Sequence, residues 1–275
     1  MDGKRLANER AEELKHRVGK LKSKNCNPKL TVFVSDEDAS SVYVRNKVKR
    51  AEEIGIEIQT KELKSKIDFE NSYNGEPFII QMPCNLTKDE LAEIESEYWE
   101  NDMDGFSAMN LGHLAVNSDK AILPCTPIGI FDLIWEYCSE NGENPIKGKH
   151  IVIIGRSNIV GKPLAMMLTN EGACVTICHS EVPNEMIRLM CDKAQIIISA
   201  TGNRAVLQDF DFQPWQTVID VGMNRDENGK LCGDIDEEPK QEAMTYTPVP
   251  GGVGPMTVIN LMENVVEYFE KRLDK

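Results

Sequence analysis

Short apolar runs alternate with longer amphipathic stretches along nearly the whole chain. Residues 4 to 24 place Leu6, Leu14, Val18 and Leu21 on one stripe with charges elsewhere, which predicts a helix that Asn25 to Pro28 stop. Leu30 to Val34 reads as a buried strand, Ser35 to Ser40 as a polar loop, and Ser41 to Gly55 as a helix closed by glycine. Ile56 to Ile58, a polar stretch to Glu76 and the apolar run Phe78 to Pro83 follow. Thr87 to Glu97 reads as a helix with Thr87 at its N-cap and Glu90 at capping-box spacing. After residue 120 the alternation resumes: a helix over Ile130 to Tyr137, strands over Ile151 to Ile154, Val175 to Cys178, Ala194 to Ala200 and Thr217 to Gly222, and a helix over Thr257 to Arg272. Alternation at this spacing predicts parallel sheets in two doubly wound α/β domains with a cleft between them. The boundary near Pro124 rests on the two sets of strands, because no low-complexity linker marks it.

The strand Ile151 to Ile154 leads into Gly155-Arg156-Ser157-Asn158-Ile159-Val160-Gly161-Lys162-Pro163 and then a helical run. A β-branched strand, a glycine loop and a helix N-terminus together form a dinucleotide-binding unit, so the second domain is expected to be Rossmann-like. Ser157 stands where the usual fingerprint has its second glycine, with Arg156 before it. The next strand ends in His179-Ser180, where an NAD enzyme would place a carboxylate for the ribose. NADP therefore fits better than NAD, since a 2′-phosphate wants arginine and hydroxyl donors. Glu181 keeps the other reading open: it lies one residue too late if the register is right and is an NAD ligand if it is not.

The chain has 275 residues, 41% of them apolar, enough for two cores. A formal charge of −14 opposes nucleic acid and anionic membrane as partners and favours a small-molecule role. Eight cysteines are scattered with no C-x-x-C pair, so a reducing, cytoplasmic compartment and no metal site are expected. Met1 to Arg5 lack the apolar stretch of a signal peptide, and no run approaches transmembrane length.

In the first half, Tyr43, Lys47 and Arg50 fall at i, i+4 and i+7 on one helix face. Tyr43 can hydrogen-bond or stack on a flat substrate. Lys47 can exchange a proton if burial and a cationic neighbour make its neutral amine accessible; the plainer alternative is a solvated basic face. Arg45, Lys47, Lys49 and Arg50 form a basic island in an acidic chain. Gln81 closes an apolar strand and, being neutral, can hold a lysine amine without fixing its proton. Asp104, in the acidic turn Asp102 to Phe106, can hydrogen-bond a heterocycle bidentately. Pro250, Gly251, Gly252 and Gly254 belong to a stiff proline- and glycine-rich loop, Thr247 to Thr257, that can line a ligand cleft, with Thr257 as the N-cap of the last helix.

Taken in order, Tyr43-x-x-x-Lys47, Gln81-Met82-Pro83, Asp102 to Phe106, Pro124-Cys125-Thr126-Pro127, the Gly155 to Pro163 loop and the Thr247 to Thr257 loop resemble the bifunctional methylenetetrahydrofolate dehydrogenase/methenyltetrahydrofolate cyclohydrolases. The resemblance implies a folate-binding catalytic domain over 1–123 plus 257–275 and an NADP-binding domain over 124–256. It implies oxidation of 5,10-methylenetetrahydrofolate by NADP and hydrolysis of the methenyl product to 10-formyltetrahydrofolate, in a homodimer. In those terms Lys47 is the general acid/base of hydrolysis, Tyr43 positions the folate, Gln81 tunes the lysine and Asp104 anchors the pterin. Pro250, Gly251 and Gly252 touch substrate. Gly155, Arg156, Ser157, Val160, Gly161, Pro163, His179, Ser180, Gly254 and Thr257 line the cofactor. The chain departs from the family pattern at Ser35 to Asp38, at Cys84-Asn85 and at Asn101. Two rival readings are a dehydrogenase without useful hydrolysis, should the altered loop misplace Lys47, and a non-catalytic NADP-sensing module.

Overall fold

The computed structural model describes residues 1–35, 42–204, 206–207, 209–236, 240, 243 and 245–273. They form two compact units, Ala7–Cys125 with Val258–Lys275, and Met1–Leu6 with Thr126–Thr257. Most of the altered loop before Tyr43, residues 36–41, lies outside the described residues.

The first unit, Ala7–Cys125 with Val258–Lys275, carries a parallel three-stranded sheet. Strand β1 (Lys29–Val34) is central, flanked by β2 (Glu57–Glu62) and β3 (Phe78–Ile80). All but the first residue of β1 are buried, as expected for a strand covered on both faces. Around this sheet lie α1 (Gly3–Ser23), α2 (Val42–Ile54), α3 (Lys66–Ser72), α4 (Lys88–Glu97), α5 (Ala108–Ala115) and the end of the terminal helix. Phe33, Leu63, Phe69, Phe78, Ile80 and Ile94 make its aromatic core, with Tyr73 and Tyr98 packed against it. Each fully buried side chain of this size contributes about 1.5–3 kcal/mol. Thr87 caps α4 in a complete capping box with Glu90.

Several elements of this unit differ from the sequence expectation, three of them for reasons the structure shows. Helix α3 occupies the supposed polar stretch, because Phe69 is its only fully buried residue and one anchor leaves no periodic stripe to read. The strand over Phe78 to Pro83 stops at Ile80, where Gln81 makes one last ladder bond through its N–H to the Phe33 carbonyl. Helix α5 was missed because it is two turns long; its N-cap is the Ser107 side chain.

The second unit holds a five-stranded parallel sheet in the order β10 (Thr245–Tyr246), β7 (Thr217–Asp220), β6 (Ile196–Ser199), β4 (His150–Ile154), β5 (Cys174–Cys178). A short antiparallel ladder, β8 (Asn224–Arg225) with β9 (Leu231–Cys232), lies outside it. Helices α6 (Cys125–Cys138), α7 (Gly161–Asn170), α8 (Asn184–Cys191) and α9 (Val253–Leu273) complete the element order. The chain steps from β4 to β5 on one side and to β6 on the other. That reversal opens a crevice at the carboxyl end of β4, where ligands of such sheets bind.

The terminal helix begins at Val253, a turn before the predicted start, so Thr257 is a helical residue and not the N-cap. Pro255 fits in the first turn of this helix, where it forfeits no intrahelical bond. Met1–Leu6 group with the second unit, whereas the sequence placed them in the first. The reason is local: the Met1 ammonium donates to the Tyr246 carbonyl at 2.5 Å and the Lys4 N–H to the Gly251 carbonyl at 2.9 Å. Among the described residues no helix is long and apolar enough to cross a membrane.

Candidate active site

The first unit obeys the same topological rule as the second. Its sheet also reverses at its first strand, so the carboxyl ends of β1 and β3 flank a crevice. There the Lys47 ammonium donates to Gln81 Oε1 at 2.9 Å, and Gln81 turns its own amide N–H to the Met82 carbonyl at 2.9 Å. Lys47 is only 8% exposed. Gln81 thus presents its oxygen to the lysine through a bond that fixes which end of the amide faces it. Tyr43, one turn earlier on α2, is exposed. Arg50, two turns on from Tyr43, is engaged elsewhere: it donates to Asn8 at 2.9 Å and pairs with Glu53 at 3.2 Å.

The acidic turn is built from below. The Met103 N–H donates to the Phe78 carbonyl at 2.9 Å, tying the turn to β3. Gly105 has φ +71°, and a Cβ there would lie 2.4 Å from the Ile122 carbonyl, so both conformation and space require glycine. Asn264 donates to the carbonyls of Met103 and Leu123 at 3.0 and 2.9 Å. Asp102 is buried and points inward, accepting the N–H of Asp104 and that of Phe106, each at 3.1 Å. It therefore shapes the loop that presents Asp104.

Burial raises the Asp104 carboxyl above its usual range, against the opposing pull of Lys47 and of a hydrogen bond from the Cys125 thiol. Burial, with help from Asp104 and Glu95, pushes Asp102 up to about 7 against its two N–H donors. Glu95 also rises to about 7, by burial and the nearby Asp104. A buried lysine–amide pair in a unit whose nearby carboxyls have raised proton affinity is the setting general acid/base chemistry requires. Sequence reasoning assigned no role to Asp102, Glu95 or Cys125; the D-x-D spacing was the one available signal.

In the second unit, Gly155 has φ +133° and a Cβ there would lie 2.4 Å from the Ala200 carbonyl. Gly161 is as tight, its Cβ falling 2.1 Å from the Gly155 carbonyl. These approaches fold the loop onto the carboxyl ends of β4 and β6. Ser157 does not simply face a ligand: its Oγ accepts the N–H of Val160 at 3.1 Å and of Gly161 at 3.4 Å, closing the loop where α7 begins. Pro163 is buried in the first turn of α7. Arg156 stays at the crevice and pairs with Glu181 at 2.7 Å. Across β5, His179 Nδ1 accepts the Glu181 N–H at 3.3 Å, and Ser180 is exposed. Glycines at the strand end, the N-terminus of α7, one arginine and one exposed serine form a cradle that fits a dinucleotide phosphate and ribose.

The proline–glycine loop has a support the sequence hid. Asp220, at the end of β7, is buried and accepts N–H groups of Gly222, Asp234 and Ile235 together with the Lys240 ammonium, the last at 3.1 Å with both side chains fully buried. Burial raises the Asp220 carboxyl, and Lys240 opposes the rise. The Thr247 hydroxyl accepts the Asp220 N–H at 2.7 Å, so this network sets where the loop begins. At its far end Pro250 follows a cis bond, the Gly252 N–H donates to the Pro248 carbonyl at 2.9 Å, and a Cβ on Gly3 would collide with the Gly252 carbonyl. Gly254 and Thr257 follow in the opening turns of α9, with the Thr257 hydroxyl 3.0 Å from that of Thr126.

Comparison with known proteins agrees with this geometry. Residues 124–273 match the tetrahydrofolate dehydrogenase/cyclohydrolase NAD(P)-binding domain, and residues 1–75 match the catalytic domain of the same family. The bifunctional protein FolD of Rickettsia peacockii is 41% identical, over 99% of this chain and 97% of its own length. The solved FolD methylenetetrahydrofolate dehydrogenase/cyclohydrolase of Campylobacter jejuni is 38% identical with a TM-score of 0.87, covering 98% of each chain. The Trypanosoma brucei enzyme, solved with NADP and an inhibitor, is 30% identical with a TM-score of 0.88 and covers 100% of this chain and 98% of its own. The chain belongs to the tetrahydrofolate dehydrogenase/cyclohydrolase family.

Proposed function

We propose that this protein is a bifunctional one-carbon enzyme that oxidises 5,10-methylenetetrahydrofolate with NADP and hydrolyses the methenyl product to 10-formyltetrahydrofolate. The observation that carries the reading is the buried 2.9 Å pair of Lys47 and Gln81. A dehydrogenase needs its two rings oriented, whereas hydrolysis of a methenyl cation needs a group that moves a proton to and from water. Lys47 is that group, Gln81 holds its amine, and the exposed Tyr43 ring offers a face and a hydroxyl for the folate. Asp104 receives the pterin edge. NADP, when bound, supplies the hydride acceptor; Arg156 and Ser180 hold its 2′-phosphate, and Gly155 to Gly161 let the backbone approach its pyrophosphate.

The working form is a homodimer joined through the cofactor units. Strand β5 is the sheet edge, and its residues Cys174 and Ile177 are exposed. An unpaired edge with an apolar side chain suits pairing with a second copy.

The test is a paired assay. Purified protein is given methylenetetrahydrofolate with NADP or NAD, and separately methenyltetrahydrofolate alone. Reduction of NADP together with accelerated hydrolysis is the expected result. NADP reduction without faster hydrolysis would reduce the protein to a dehydrogenase, and silence in both halves would overturn the reading.

A further inference from the structure

The carboxyl ends of β4 and β5 hold two groups that ask for different cofactors. A carboxylate after the second strand of such a sheet accepts the ribose hydroxyls of NAD, while an arginine there receives the 2′-phosphate of NADP. Here both are present and bound to each other, Arg156 Nη2 lying 2.7 Å from Glu181 Oε1. Glu181 lies three residues past the end of β5, beyond the strand-end position the ribose carboxylate usually takes. The turn brings it back: the Val182 N–H donates to the His179 carbonyl at 2.8 Å and the Glu181 N–H to His179 Nδ1. Pro183 then leads into α8, which stiffens the exit.

We infer that Glu181 is a specificity-determining residue that holds Arg156 in competition with the 2′-phosphate, narrowing the preference for NADP and admitting NAD as a second cofactor. The inference rests on the dehydrogenase reading above. A 2′-phosphate must take Arg156 from Glu181 and is then left beside a carboxylate of its own sign. NAD meets no such conflict, because Glu181 can keep Arg156 with one oxygen and accept a ribose hydroxyl with the other. Both side chains are exposed, Arg156 by 47% and Glu181 by 73%, so the competition is screened and its effect is modest.

The experiment titrates the purified protein with 2′,5′-ADP and with ADP, and measures kcat/KM for NADP and NAD, in the wild type, Glu181→Gln, Arg156→Ala and the double variant. Glu181→Gln is expected to bind 2′,5′-ADP roughly fivefold tighter or more and ADP no tighter, with the kcat/KM ratio moving the same way. In the Arg156→Ala background that gain should shrink, since there is no arginine left to release. Equal changes for both nucleotides, or a gain that survives loss of Arg156 undiminished, would overturn the inference. If the wild type turns over neither cofactor while Glu181→Gln still tightens 2′,5′-ADP selectively, the dehydrogenase reading falls and the role of Glu181 in nucleotide choice stands.

Discussion

The two units place charged groups at the same topological position and treat them in opposite ways. In the first, Lys47 meets Gln81 just past the end of β3, while Asp102, the partly covered Asp104 and Glu95 interact at the turn tied to β3 through Phe78, which Asn264 and backbone amides hold. In the second, Arg156 and Glu181 meet in the open at the ends of β4 and β5. Burial strengthens each interaction in the first set and raises the proton affinity of its carboxyls, which suits proton transfer. Exposure in the second leaves two permanent charges exchangeable for those of a ligand, which suits recognition. One sheet topology thus serves chemistry or binding according to how much water reaches the strand ends.

The contrast is hardest to survive at Lys47. Lys47→Met should lower methenyltetrahydrofolate hydrolysis by about 10²-fold or more while NADP reduction stays within roughly tenfold of the wild type, measured in the paired assay. A comparable fall in both rates would mean Lys47 only shapes the site. Next comes the buried charge in the cofactor unit that breaks the pattern there. Lys240→Met leaves the Asp220 carboxylate without its cation and should cost about 3–5 kcal/mol in urea unfolding. A loss below about 1 kcal/mol would show the Asp220 amide donors to be sufficient.

The acidic turn offers a test by pH. Asp102 and Glu95 titrate near 7 folded against about 4 unfolded, so the folded chain holds their protons more tightly. The stability they contribute is present in acid and lost as pH rises through about 7. Asp102→Asn cannot titrate, and it gives up one of the two acceptors for the Asp104 and Phe106 amides. The variant should therefore be less stable at pH 5, and the gap to the wild type should narrow toward pH 8 in thermal melts. A gap independent of pH would place the Asp102 proton affinity in the ordinary range. The smallest effect belongs to β5, the edge proposed for dimer pairing, where Ile177→Glu should shift the mass measured by light scattering from two chains toward one. An unchanged mass would move the interface away from β5.

Much of this protein was legible before its structure. The β-branched runs Ile151 to Ile154 and Leu30 to Val34, the capping box at Thr87 and the glycine loop after β4 each carry a local signal, since period, cap and breaker act within a few residues. Helices α3 and α5 escaped because seven or eight residues are too few to show a period. Lys47 and Gln81 could be named as candidates from spacing and strand position, but their 2.9 Å bond, across 34 residues of chain, required α2 to meet the end of β3. Asp220, Lys240 and Thr247 carried no signal at all, because a buried lysine is recognised only by the carboxylate that folds against it. The same holds for Glu181: its position in the sequence left its register open, and the return of the turn onto Arg156 made it a partner. Local order comes from sterics and hydrophobic period along the chain. The functional electrostatics come from which distant groups burial forces together, which no local pattern encodes.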